Sequence, residues 1–227
     1  LSVDDTARLV EAYRGPCSPR LAAYLHERSE GHPLFLVELL NDLVDQKLLT
    51  QDTLGRWSPP TQPVPIPPLV QQLISGRVVR LGEAAEAFLV MATVVGERWD
   101  LAVVEGVLAW PEDALLAVLD QVMGAHLVAV VDERRERYRF THGLIREVLY
   151  HRPVGRRRKH LHARIAELLE ARIVPDTSLT AMARNEQIAE LAYHFYAAEQ
   201  WDKALQYNRA AGDAAGPRYA AHSALQF

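Results

Sequence analysis

Residues 138–149 read YRFTHGLIREVL, a strand-like run that passes directly into a helical one, with His142 and Gly143 at the joint. A histidine there has four chemical options: capping the helix, ligating a metal, acting as a base, or meeting a phosphate. The last is compatible with the free amides and partial positive charge of a helix N-terminus, although the residues alone favour a structural role. Metal chemistry needs partners at ligand spacing. His151, His160 and His162 are close in sequence, but no cysteine or carboxylate accompanies them at that spacing, and His160 and His162 fall on different sides of one helix. Nucleophilic catalysis fares no better. There is no glycine-flanked serine on a strand-to-helix turn, and the single cysteine, Cys17, stands at an ordinary helix entry. For His142 the cap and the phosphate contact stay open.

The phosphate-binding loop GxxxxGK[ST] is absent, since no glycine in the chain is followed by lysine. Residues 127–133, LVAVVDE, end in an acidic pair of the kind that holds magnesium in nucleotide hydrolases. With no loop upstream and a return strand directly after, the pair reads as part of a hairpin. No metal site and no catalytic residue are expected, and the chain is not an enzyme as it stands.

The elements that must position His142 follow from periodicity. Of 227 residues, 49% are hydrophobic and 24% charged, the balance of a folded globular protein built from several small modules. Helical patterns begin at Val3, with acidic residues in the first turn, at Ser18-Pro19, a cap and first-turn pair, and at Pro33. Six of the ten residues from Pro59 to Pro68 are proline, which removes the amide donors a helix or central strand needs and marks a boundary. Four further helical stretches run from Leu69 to His126. Two β-type runs, LVAVV and RYRFT, flank the charged stretch DERRER and predict a hairpin with a solvated tip. Helices followed by a hairpin is the winged-helix plan. Beyond Pro153 three more helices are expected. In the last two, Leu191, Ala192 and Phe195 with Trp201, Ala204, Tyr207 and Ala211 fall close to tetratricopeptide positions, although Glu199 stands where a small residue is preferred.

Charge narrows the partners. A formal charge of -4 gives no general attraction to nucleic acid. The reading helix of a winged helix would be the one before the hairpin. From Trp110 through Val131 it carries Glu112, Asp113 and Asp120 with no lysine or arginine, which argues against direct nucleic-acid binding. The cations lie instead at Arg134, Arg135 and Arg137, and at Arg156 to Lys159, where solvated or acid-paired faces are expected. A lone cysteine, no leader pattern and no bilayer-length apolar run point to the cytoplasm without membrane contact. The chain opens inside one helical pattern and ends inside another, so it reads as a fragment.

Taken in order, ERSEGHPLFLVELLNDLVDQKLL, VPIPPLVQQLISGRVVRL, LVMATVVG, YRFTHGLIREVLYHRPVGRRRKHLHARIAELLE and ELAYHFYAAEQWDKALQY resemble the C-terminal part of a STAND-type signal-transduction ATPase. The closest flavour is the bacterial LuxR-type and antibiotic-regulatory transcription activators. The resemblance implies a mainly α chain: a helical lid over 1–57, a proline-rich linker over 58–68, a winged helix with one β-hairpin over 69–155, and the start of a tetratricopeptide-like sensor over 156–227. It implies an ATPase core upstream in the same chain, using ADP or ATP with magnesium, and no tight nucleotide binding by this segment alone. It also implies a protein or small-molecule inducer acting through the repeats, and self-assembly on activation. Two site motifs carry over by resemblance. Gly31-His32-Pro33 matches the lid's glycine-x-proline, whose proline packs on the base or ribose of ADP; histidine replaces the usual asparagine between them. Thr141-His142-Gly143 stands at the joint where related plant receptors carry Met-His-Asp, with His142 expected on the β-phosphate.

Overall fold

The computed structural model describes residues 1–62, 64–173 and 181–224. In chain order these form α1 (Val3–Arg14), α2 (Pro19–Ser29), α3 (Pro33–Asp45), β1 (Thr50–Gln51), β2 (Trp57–Ser58), α4 (Pro68–Arg80) and α5 (Glu83–Val95). There follow β3 (Arg98–Asp100), α6 (Leu101–Leu108), α7 (Glu112–Gly124), β4 (Val128–Asp132), β5 (Arg137–Phe140) and α8 (Gly143–Tyr150). The chain closes with α9 (Gly155–Ile173), α10 (Ala181–Ala197) and α11 (Trp201–Ala224). The fold is mainly α with the expected β-hairpin.

Two compact units are formed, each assembled from three separated stretches. The first takes Leu1–Glu86, Asp120–Ala129 and Phe140–Tyr150. Its first two helices start on serine caps, Ser18 as expected and Ser2 in addition. The Ser2 hydroxyl accepts from the Asp5 amide at 3.1 Å while the Asp5 carboxylate accepts from the Ser2 amide at 3.0 Å, and Ser18 accepts from the Leu21 amide at 3.2 Å. The apolar faces of α1, α2 and α3 close on one another through Val10, Leu21, Leu25, Leu36, Leu40 and Leu43. A second, unpredicted hairpin, β1–β2, lies in the stretch before the prolines. Asp52 accepts the Leu54 and Arg56 amides, and the Trp57 amide donates to the Pro16 carbonyl at 2.8 Å, which ties the hairpin to the start of α2. Strands of two residues are too short to show alternation in sequence. In this unit α8 packs on α2 and α4, and α3 packs on α4.

The second unit takes Ala87–Leu119, Val130–Arg139 and the described residues from His151 onward. Its sheet has the order β3-β5-β4, so a short third strand joins the predicted hairpin. Trp99 pairs across the sheet with Tyr138 and stacks on it at 5.1 Å, with Phe88 edge-on at 5.6 Å. Helices α6 and α9 approach so closely that a Cβ at Gly106 would collide with Leu168. In the α10–α11 pair, Leu191, Ala192, Phe195 and Ala204 are buried as their spacing predicts, whereas Trp201 is 57% exposed. Glu199 makes the intervening turn with φ +59°.

Candidate functional site

The first unit brings together the two motifs singled out in sequence, although 110 residues separate His32 from His142. Helix α2 ends on Glu30 in the left-handed region (φ 48°, ψ 36°), and Gly31 follows at φ +71°, where only glycine is free of strain. The chain then turns into α3 with His32 at the N-cap and Pro33, exposed, in the first turn. The His32 ring stacks on Phe35 at 4.3 Å, and its Nδ1 lies 3.5 Å from the Phe35 amide, a weak cap.

On the other side, Thr141 fastens the end of β5. Its hydroxyl donates to the His126 carbonyl at 2.8 Å and its amide to the Leu127 carbonyl at 3.1 Å. The next residue, His142, accepts the Ile145 amide at its carbonyl and opens α8, whose buried Leu144, Ile145 and Leu149 hold the helix down. The imidazole of His142 stands edge-on to His32 at 5.3 Å and to Phe35 at 5.9 Å. His142 thus caps α8 only through its backbone carbonyl, and its Nδ1 makes no hydrogen bond.

Glu30 occupies the mouth of α8. The Gly143 amide donates to Glu30 Oε1 at 2.5 Å, and His142 Nδ1 lies 3.6 Å from Glu30 Oε2, too far for a hydrogen bond but within ion-pair range when the imidazole is protonated. A Cβ at Gly143 would sit 3.0 Å from that same oxygen, so glycine here permits the approach. The mouth already binds a carboxylate, in the place an external anion would take. Buried side-chain polar atoms without a partner also gather along this seam: His26 Nδ1, Arg28 Nε, Ser29 Oγ, His142 Nδ1 and Arg146 Nε. Arg28 is otherwise engaged, donating to the Val64 carbonyl at 3.0 Å and pairing with Glu147 at 3.5 Å.

Beside His32 lies a groove of about 400 Å³ between α3 and α4. Leu34, Phe35, Leu69, Leu73 and Ile74 make it apolar, and Arg77 and Arg80 bring positive charge to it. Arg77 is held by donating to the Ala125 carbonyl at 2.6 Å. His32 is kept below the ordinary histidine pKa, first by burial and then by the nearby charges of His142 and Arg77. An apolar groove next to cations and a helix mouth suits a molecule that joins a flat ring to negative charge. The donors at this seam are the Gly143 amide, which Glu30 occupies, and the Arg77 and Arg80 side chains. Among the described residues no cluster of three His, Cys, Asp or Glu is placed to hold a metal ion.

Sequence reasoning singled out Gly31, Pro33 and His142 and named neither Glu30 nor Arg77, which the structure places near them. Glu30 reads as an ordinary polar residue at a helix end, and no spacing rule links it to position 143. In the second unit, His162 and His194 form a buried pair with Nδ1 atoms 2.9 Å apart, while His160 is exposed, so those two histidines of α9 do face different ways. Of the flagged cations, Arg137 pairs with Asp100 at 2.7 Å and Lys159 with Glu199 at 2.6 Å, as expected of acid-paired faces.

A family described as a domain of unknown function (DUF8739) matches residues 7–53, which takes in Gly31, His32 and Pro33 and stops short of Arg77 and His142. No curated protein and no solved structure matches the chain significantly.

Proposed function

We propose that this chain is the regulatory segment of a nucleotide-switched signal-transduction ATPase controlling transcription in the cytoplasm, its lid and winged-helix stretches clamping ADP against an upstream core of the same chain. The observation that carries this reading is the meeting of Gly31-His32-Pro33 with His142-Gly143 beside an apolar groove furnished with Arg77 and Arg80. Pro33 is exposed where a ring would pack on it. When bound, the nucleotide supplies the diphosphate charge that the mouth of α8 is suited to meet. Glu30 would have to leave the Gly143 amide first, so the chain holds a closed and an open form of the same site, and an inducer acting on the repeats shifts their balance. Hydrolysis, magnesium and assembly belong to the full-length protein.

The test uses the full-length protein. His142→Ala is expected to speed ADP release and raise basal signalling, and unchanged release together with unchanged output overturns the clamp. One observation favours a second reading, a helical scaffold that recognises a protein partner without nucleotide. On α10 and α11, Tyr193, Tyr196, Trp201 and Leu205 are each between 46% and 60% exposed, with Tyr196 and Trp201 edge-on at 5.4 Å. An upstream region lacking the phosphate-binding loop would select that alternative. A DNA-binding winged helix is the weaker reading, because α7 carries Glu112, Asp113 and Asp120 and no cation. Absence of duplex retardation at low salt disposes of it.

A further inference from the structure

The second unit contains a cleft of about 400 Å³ that the nucleotide reading does not use. Strand β3 and the start of α6 form one side, and the end of α9 with the first turns of α10 form the other. Trp99, Val103 and Leu169 give it an apolar wall. Its polar groups are unusual in two respects.

First, two of its lining residues carry a buried polar atom that lacks a partner: the indole Nε1 of Trp99, a residue only 2% exposed, and the side-chain Oε1 of Gln187. An unpartnered buried polar group is destabilising relative to a satisfied one, so such atoms call for an explanation. One is a donor and the other an acceptor.

Second, opposite charges share the cleft without closing on one another. Asp100 and Arg137 do pair, through contacts of 2.7 and 3.3 Å. Arg98, Glu186 and Glu190 make no ion pair among the described residues. Arg172 donates to the Ala102 carbonyl at 2.9 Å and has no carboxylate partner there. Burial raises the Glu190 pKa, the Asp100 charge adds to that and Arg137 opposes it. Cations and carboxylates that share a space without ion-pair contact are complementary to one molecule that carries both charges.

We propose that this cleft binds a small zwitterion of the α-amino acid class, with its carboxylate toward Arg98, Arg172 and the Trp99 indole, and its ammonium toward Glu190 and the Gln187 side-chain oxygen. A simple anion would leave Glu190 and Gln187 unmatched, and a simple amine would leave Arg98 and Trp99 unmatched. The volume admits a free amino acid, and the apolar wall favours an aliphatic side chain.

The experiment titrates the 227-residue chain with glycine, leucine, glutamate and arginine, following tryptophan fluorescence and heat. It repeats the titration with 3-methylbutylamine and 4-methylpentanoate, which are leucine without its carboxylate and without its ammonium. Saturable binding of leucine is expected, with each analogue weaker by about tenfold or more. Glu190→Gln and Arg98→Gln should each weaken leucine by about tenfold while His142→Ala leaves it unchanged. The proposal is overturned if none of the amino acids binds at millimolar concentration, or if either analogue binds as well as leucine. The analogue arm needs only the unaltered protein, so it decides the matter even if a variant fails to fold.

Discussion

Each unit holds a pair of neighbouring histidines, and the two pairs are built differently. His32 and His142 stand edge-on at a partly exposed seam, beside a carboxylate, two arginines and a helix mouth. His162 and His194 lie 1% and 0% exposed between α9 and α10, Nδ1 to Nδ1 at 2.9 Å. At that distance one Nδ1 donates and the other accepts, so the accepting ring is neutral. Burial, and then the neighbouring His162, lower the His194 pKa to about 3. The contrast teaches that histidine adjacency is not itself a functional signal. What distinguishes the first pair is access and an anion already seated against it; the second pair is packing.

The largest expected effect separates them by acid. The His194 pKa is depressed from 6.5 in the unfolded chain to about 3 in the folded one, so below pH 6.5 the unfolded state takes up a proton that the folded state refuses. The stability tied to a neutral His194 is complete above that pH and is lost as pH falls toward 3, at about 1.4 kcal/mol per unit within the window. Urea unfolding at pH 6, 5 and 4 should show this slope in the unaltered protein and lose about one proton's worth of it in His194→Leu. An identical slope in both proteins would mean that His194 titrates freely.

A smaller effect compares truncations. His194→Ala opens a cavity in a closed core and removes the Nδ1 partner of His162, and should cost about 2–4 kcal/mol. His142→Ala removes a partly exposed contact and should cost under about 1 kcal/mol. Equal losses by thermal unfolding would erase the distinction drawn between the pairs.

The smallest effect concerns Glu30. Its substitution by glutamine removes the charge that competes for the Gly143 amide, so pyrophosphate should bind this chain about three- to tenfold more tightly, with little change in stability. Weaker binding in Glu30→Gln would show that the carboxylate supports the site and does not stand in for a ligand.

Much of the helical framework was legible before the structure. Ser18, Pro19 and Pro33 mark helix starts by satisfying or removing free amides, and the 3.6-residue spacing of Leu36, Leu39, Leu40 and Leu43 marks a buried face. The hairpin β4–β5 was legible from alternating runs around a charged tip. β1–β2 and β3 were not, because strands of two or three residues exist through bonds to distant segments and carry too little pattern of their own. At the candidate site, Gly31 and His142 stood out by their places at helix boundaries. Glu30 did not, since its importance arises from a residue 113 positions away.

Local rules acting within a turn or two, such as capping, proline placement and apolar periodicity, thus determine which segments of this protein are helices and where they stop. Which histidine becomes a buried neutral partner and which stands at an open seam depends on long-range packing. Desolvation and the approach of a carboxylate are properties of the space around a side chain, and in this molecule that space is enclosed by stretches far apart in sequence.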